Sequence, residues 1–470
     1  MKFNSKKPNA SFFARDANYG DVDSGAAGSS RLRVEHKLDV ARKTANLNLA
    51  NLNLEEVPEE IFDLRESLLR NGGDGGLKAW EIFGEEAQTS VDLSHNPLRA
   101  LPPRICKFLS CKKLRLRNCK IGLGCGANDQ PPLTSIISTL ADLKTLDLSE
   151  NSISGEFPVA QLPRGLVDLN ISRNEITCLR FGDEPFPSLT ALDASSNRIS
   201  EPPASLAPCC PSLLSLDLSS NDLRSLPSLP SSLAKVSLLG NGLTGVLDLA
   251  GLEGLDRANF GRNALSSCVN VARSMLTLDL SDNSIQGVRG LFSSGDDVGE
   301  CDCKMTELRL RGNKIRQLEP TEFYGALHLT LLDLADNDLS DLPSILGYLP
   351  KLSKICLEGN CLRGNMRPSM VVDVPKLKKT LRFRSPPPLS HPKYLLQDGG
   401  EEEEEGKAAR AQVFAARAAF GDGLLDLSDS GFRSLPDRVL EELEFELYDE
   451  EQDLHYTQGS RLKCLKARGK

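Results

Sequence analysis

The feature that most constrains this chain is a short pattern, leucine-x-leucine followed three residues later by asparagine, that returns again and again. It appears as Leu146-Asp-Leu148-Ser-Glu-Asn151-Ser-Ile153, Leu216-Asp-Leu218-Ser-Ser-Asn221-Asp-Leu223, Leu278-Asp-Leu280-Ser-Asp-Asn283-Ser-Ile285 and Leu332-Asp-Leu334-Ala-Asp-Asn337-Asp-Leu339. Weaker copies place the asparagine at Asn96, Asn174, Asn197, Asn241, Asn263, Asn313 and Asn360. In Leu114-Arg-Leu116-Arg-Asn-Cys119 a cysteine stands in its place. Alternation of two leucines puts both on one face of a short strand. One such unit cannot bury that face alone, so copies must stack into a solenoid with a shared core. The asparagine amide can both donate to and accept from backbone groups of adjacent turns, which would otherwise be buried unpaired. The eleven asparagines are therefore read as structural, with none expected to be catalytic.

The period resembles that of leucine-rich repeats. The fold class expected is α/β: a curved horseshoe with a parallel concave sheet and an irregular or helical convex side. The outer segments vary. Leu98-Arg-Ala-Leu101-Pro102 and Leu339-Ser-Asp-Leu342-Pro343 look like the cytosolic L-x-x-L-P type. Ile153-Ser-Gly155-Glu-Phe157-Pro158 resembles the plant-type variant, and Leu226-Pro-Ser-Leu229-Pro230 the short bacterial form. Such mixing implies uneven curvature. Two insertions break the rhythm, one around residues 122–130 and one at 290–304, and exposed loops of this kind can carry binding.

The organisation expected is a disordered tail at 1–30, a capping helix and first repeat at 31–64, and the array at 65–366. An irregular linker follows at 367–422, containing the acidic run Glu401 to Glu405. Residues 423–470 are expected to hold a terminal repeat at Leu425-Asp-Leu427-Ser428, a capping helix and a basic tail. The two ends are similar to the leucine-rich repeat-containing protein 40 family. The residues that carry this are Ala41-Arg-Lys43-Thr-Ala-Asn-Leu47-Asn-Leu49, Trp80-Glu81, Gly359-Asn360-Cys-Leu362-Arg363 and Leu435-Pro436-Asp437-x-Val439. That resemblance implies an intracellular repeat scaffold without established catalysis.

Composition narrows the function classes. The net charge of −9 disfavours bulk attraction to nucleic acid or an anionic membrane surface. No run of apolar residues is long enough to span a bilayer or to read as a secretory leader, so a cytoplasmic or nuclear protein is expected. The thirteen cysteines lack paired C-x-x-C spacing and read as free thiols, with no metal expected. Five scattered histidines form no catalytic motif. No cofactor is expected either, and an unrecognised hydrolase is the alternative from a different class.

The expected site is the concave face, where a protein partner would bind. The residue between the two apolar positions forms a mainly acidic column that includes Asp147, Asp193, Asp217, Asp279 and Asp333. Two basic strands interrupt it, Lys113-Leu-Arg115-Leu-Arg117 and Leu308-Arg309-Leu-Arg311. One reading makes the aspartates solubilising filler. The sharper reading makes Lys113, Arg115 and Arg117 a cationic island for an acidic segment of the partner. A signalling adaptor and a plant-type recognition or regulatory protein are both consistent with this arrangement.

Overall fold

Each repeat makes a strand of three residues, because only one inward leucine and its two neighbours are needed to pair with the next turn. The computed structural model describes residues 26–62, 89–123, 131–203, 206–289, 291–292, 303–362, 374–382 and 384, with two short strands at 424–426 and 464–466. In chain order the strands begin with β1 (Asn46–Asn48), β2 (Ser90–Asp92), β3 (Lys113–Arg115), β4 (Thr145–Asp147), β5 (Ser154–Phe157) and β6 (Asp168–Asn170). Then come β7 (Glu175–Leu179), β8 (Ala191–Asp193), β9 (Ser215–Asp217), β10 (Lys235–Ser237), β11 (Thr244–Asp248) and β12 (Arg257–Asn259). The last are β13 (Ala264–Val269), β14 (Thr277–Asp279), β15 (Glu307–Arg309), β16 (Leu331–Asp333), β17 (Lys354–Cys356), β18 (Leu424–Asp426) and β19 (Cys464–Lys466).

Thirteen of these, from β1 to β17 without β5, β7, β11 and β13, pair in sequence order into one parallel sheet. The register never slips across it: Leu146 lies beside Leu169, Leu169 beside Leu192, and Leu192 beside Leu216. A slip of one residue would turn every leucine out to solvent, so burial holds the register. Within one turn Leu143, Leu146, Leu148 and Ile153 are all fully buried. Each contributes roughly 1.5–3 kcal/mol of transfer free energy, repeated along the array. The expected α/β horseshoe architecture is the one observed.

Pairing also runs along the convex side in two places. Ser154–Phe157 (β5) pairs in parallel with Glu175–Leu179 (β7), at the segment read as plant-type. A second such pair, β11 with β13, starts at Thr244-Gly245 and was not legible in the outer-segment motifs. The L-x-x-L-P segments instead become 3-10 turns after their prolines, at Pro103–Lys107 and Ser344–Gly347. A fixed proline φ just before the first turn suits that start.

The first helix, α1, runs Ala26–Thr44 and so begins before the 31–64 stretch in which the capping helix was expected. It packs Leu38 and Ala41 against the first repeat. At the other end helix Val374–Arg382 buries Leu377 and Leu381 beneath the last turn. Arg382 Nε donates to Gly347 O at 2.8 Å, and Lys378 Nζ donates to Leu349 O at 2.6 Å. The linker thus contains a closing helix within 367–422. The strand expected near Leu425 forms as Leu424–Asp426, yet it pairs with Cys464–Lys466 rather than with the main sheet. The tail of residues 1–25, Trp80, the insertion residues 124–130 and 293–302, and the acidic run at 401–405 lie outside the described residues. So does the capping helix expected after residue 440.

Candidate protein-binding face

From Asp92 to Asp333, the turns whose column residue is an aspartate or an asparagine close with the same three-part device. The column residue after the inward leucine accepts a hydrogen bond from the backbone N–H two residues on. Asp147 does so from Ser149 N at 3.0 Å, Asp193 from Ser195 N at 3.0 Å and Asp217 from Ser219 N at 2.8 Å. Asp279 and Asp333 do so from Ser281 and Ala335. At Ser149, Ser172, Ser195 and Ser219 the hydroxyl also donates to the same oxygen, as in Ser195 Oγ to Asp193 at 2.7 Å. The next residue is left-handed, with φ of 58° at Glu150, 55° at Arg173 and 54° at Ser196. Asparagine comes next. Asn197 Nδ2 donates to Ile171 O of the preceding turn and to Ala194 O of its own, both at 3.0 Å. Its Oδ1 accepts from Ile176 N at 3.0 Å.

The same amide pattern recurs at Asn96, Asn151, Asn174, Asn221, Asn241, Asn263, Asn283, Asn313, Asn337 and Asn360. At Cys119 the thiol donates to Leu93 O at 3.2 Å, and burial pushes its pKa up to about 11. The column aspartates therefore do more than dress the surface: one carboxylate oxygen of each shapes the turn, while the other can face solvent. Side chains that keep this acceptor without the charge also serve, as Asn170 and Asn259 show.

These turns aim two columns of side chains at the concave face. One is the column just described, in register from Asn48 through Asp92, Arg115, Asp147 and Asn170. The other is the first residue of each strand, including Lys113, Thr145, Asp168, Lys235, Arg257 and Glu307.

Family models described as leucine rich repeat match residues 303–362, 142–160 and 209–225. The leucine-rich repeat domain of APL1B superposes with a TM-score of 0.50 at 18% identity, covering 78% of this chain and 92% of that one. The fold is a leucine-rich-repeat solenoid. In sequence the chain is 31% identical over 263 residues to leucine-rich repeat serine/threonine-protein kinase 1 of Mus musculus, covering 53% of this chain and 11% of the kinase. It is 29% identical over 348 residues to podocan-like protein 1 of Homo sapiens, covering 65% of each. The chain thus spans about a tenth of the first relative and just under two thirds of the second.

On this solenoid the arginines singled out by sequence are met by carboxylates, those of neighbouring turns for Arg115, Arg117 and Arg311 and one of its own strand for Arg309. Arg115 Nη1 lies 3.8 Å from Asp92 Oδ2. Arg117 Nη2 lies 2.8 Å from Glu150 Oε1, which also receives Arg173 Nη1 at 3.3 Å. Arg117 beside Glu150 holds that carboxyl below its usual range. Arg309 pairs with Glu307 at 2.7 Å and Arg311 with Asp336 at 2.8 Å. Lys113 is exposed on the same strand as Arg115. The island is real as a cluster of exposed cations, but its arginines are laterally engaged.

Reading the residue between two leucines left out the first column apart from Lys113. Lys235 and Arg257 sit there, exposed and side by side in register. They flank a shallow depression of about 200 Å³ over β9, β10, β12 and β14. The signal was available two residues before each column residue, in the less regular part of the repeat. Among the described residues no group of three metal-ligating side chains converges, and no helix is long and apolar enough to cross a membrane.

Proposed function

We propose that this chain is a non-catalytic scaffold that binds a protein partner across its concave face, acting in signalling within the cytoplasm or nucleus. The observation that carries the reading is the unbroken register of thirteen parallel strands, which aligns two columns of polar side chains into one continuous surface. Surfaces of this kind are the usual recognition face of stacked repeats. The concave candidates are Lys113, Arg115, Arg117, Asp147, Asp193, Asp217, Asp279, Arg309, Arg311 and Asp333. Likeness of the two ends to the leucine-rich repeat-containing protein 40 family supports an intracellular role.

A second reading, a recognition or regulatory protein of the plant-type kind, is favoured by the convex pairs β5–β7 and β11–β13. Affinity capture from the source cell, wild type beside Arg115→Glu, tests the scaffold reading. A partner lost from the variant, with circular dichroism unchanged, supports it. Capture that no concave substitution alters overturns it, and turnover of a hydrolase substrate by the purified chain overturns the non-catalytic part.

A further inference from the structure

Charge on the concave face is sorted along the array. From β4 to β9 the two columns hold Asp147, Asp168, Asp193 and Asp217 with no cation among them. Over β10 and β12 the signs reverse. The first column carries Lys235 and Arg257, and the second carries the neutral Ser237 and Asn259. Asn259 still accepts from Gly261 N at 3.0 Å, so the turn keeps its acceptor while the carboxylate is gone. Asp217 on one side and Asp279 on the other mark where acids resume.

Pairing separates these two cations from the other basic groups of the face. Arg115, Arg117, Arg309 and Arg311 each have a carboxylate within 4 Å. Neither Lys235 nor Arg257 takes part in an ion pair among the described residues. Their strands are adjacent, about 4.8 Å apart, so both head groups serve one short stretch of ligand. The depression is lined by Lys235 and Arg257, by Asp217 on β9 and by Asp279 and Thr277 on β14, with Arg309 beyond, and the small side chains Ser215, Ser237 and Thr277 leave room for one extended backbone.

We propose that this depression seats a carboxylate-rich, extended segment of the partner, gripped by Lys235 and Arg257. The proposal rests on the reading of the concave face as a protein-binding surface and names the chemistry of its occupant. Charge complementarity is the argument. Arginine's planar fork suits bidentate carboxylate contacts, and lysine adds a point charge beside it. Asp217 and Asp279, which line the two ends of the depression, then set the length of the acidic stretch, because carboxylates placed beside them meet like charge.

The test is fluorescence anisotropy with the full chain and a labelled peptide of five glutamates flanked by glycine and serine, beside a five-lysine peptide of the same design. Binding of the glutamate peptide should weaken at least ~10-fold in Lys235→Glu/Arg257→Glu and fall steeply with salt. It should stay within about twofold in Arg115→Glu, whose cation is already engaged. Lys235→Gln/Arg257→Gln provides the same comparison with less disturbance of folding, checked by thermal melts. Affinity unchanged by either double variant overturns the proposal, as does equal binding of the lysine peptide. A gain in affinity when Glu401 to Glu405 are changed to glutamine would make this chain its own occupant and overturn the assignment to a partner. A captured partner that is lost with Arg115→Glu but kept by both double variants leaves the scaffold reading standing and removes only this inference.

Discussion

The Asp217 carboxylate holds both polar hydrogens of Ser219, its backbone N–H at 2.8 Å and its hydroxyl at 2.6 Å. The pair closes the turn after β9, and burial, with Asp193 nearby, raises the Asp217 pKa above its usual value of 3.8. A carboxyl raised in the folded state penalises folding once it ionises, and that penalty fades as pH falls through its folded pKa. Asp217→Asn should keep the acceptor and raise stability at pH 7 by up to about 0.5 kcal/mol, the range of changes that spare the core. The gain should shrink as pH falls through the folded pKa and vanish only well below pH 3.8, where the carboxyl is protonated in both states. Asp217→Ala should instead cost about 1 kcal/mol at pH 7, through the lost acceptor. Urea titrations at pH 7 and near pH 3 decide the matter; equal effects of Asn and Ala would show that the turn bond is immaterial.

Asn197 is 8% exposed and is tied to two turns at once. Asn197→Ala strands the Ile176 N–H inside the array, while Ile171 O and Ala194 O each keep a second donor, Asn174 Nδ2 and Asn221 Nδ2. The loss should be about 2 kcal/mol, since one buried group left without a partner costs roughly 1–3 kcal/mol. A change below about 0.5 kcal/mol, the scale of ordinary surface substitutions, in chemical denaturation would remove the ladder from the account of stability.

The left-handed position before each asparagine tolerates Glu150, Arg173 and Ser196 but is glycine at Gly240 and Gly359. A methyl at Gly359 would overlap Asp336 Oδ1 and press on its Cα at 3.0 Å, whereas at Gly240 the nearest atom is Ser220 Oγ at 3.7 Å. Gly240→Ala should therefore cost about 1 kcal/mol, the left-handed penalty alone. Gly359→Ala should cost clearly more, measured by thermal melts of the two variants side by side. Equal losses would mean that Asp336 simply swings aside.

The thiols of Cys106, Cys111, Cys119, Cys178, Cys209, Cys210, Cys268, Cys356 and Cys361 form no disulfide. Burial pushes the thiols of Cys111 and Cys119 up to about 11 and those of Cys210 and Cys268 up to about 12. Thiolate is the reactive form, so these four should resist alkylation in the native protein, while the exposed Cys106 and Cys361 label first. Peptide mapping after a timed iodoacetamide pulse at pH 8 reads the order. Early labelling of Cys119 would mean that its turn opens locally.

Much of this protein could be read in its residues before any fold was known. Leucine periodicity sets strand position, inward face and stacking, because a three-residue strand has only one way to bury its leucine beside its neighbours. The asparagine ladder is legible for the same reason, as an amide at that spacing has no partner except the adjacent backbone. The tertiary structure alone decided which polar groups meet. Arg117 finds Glu150 across 33 residues of sequence, and Lys235 stands beside Arg257 with no carboxylate opposite. Sequence spacing sets the turn in which a charge lies, but its pairing depends on the lateral reach of side chains between stacked turns. The convex pairs β5–β7 and β11–β13 and the partnership of β18 with β19 were settled the same way, by backbone groups that find partners only once the turns are stacked.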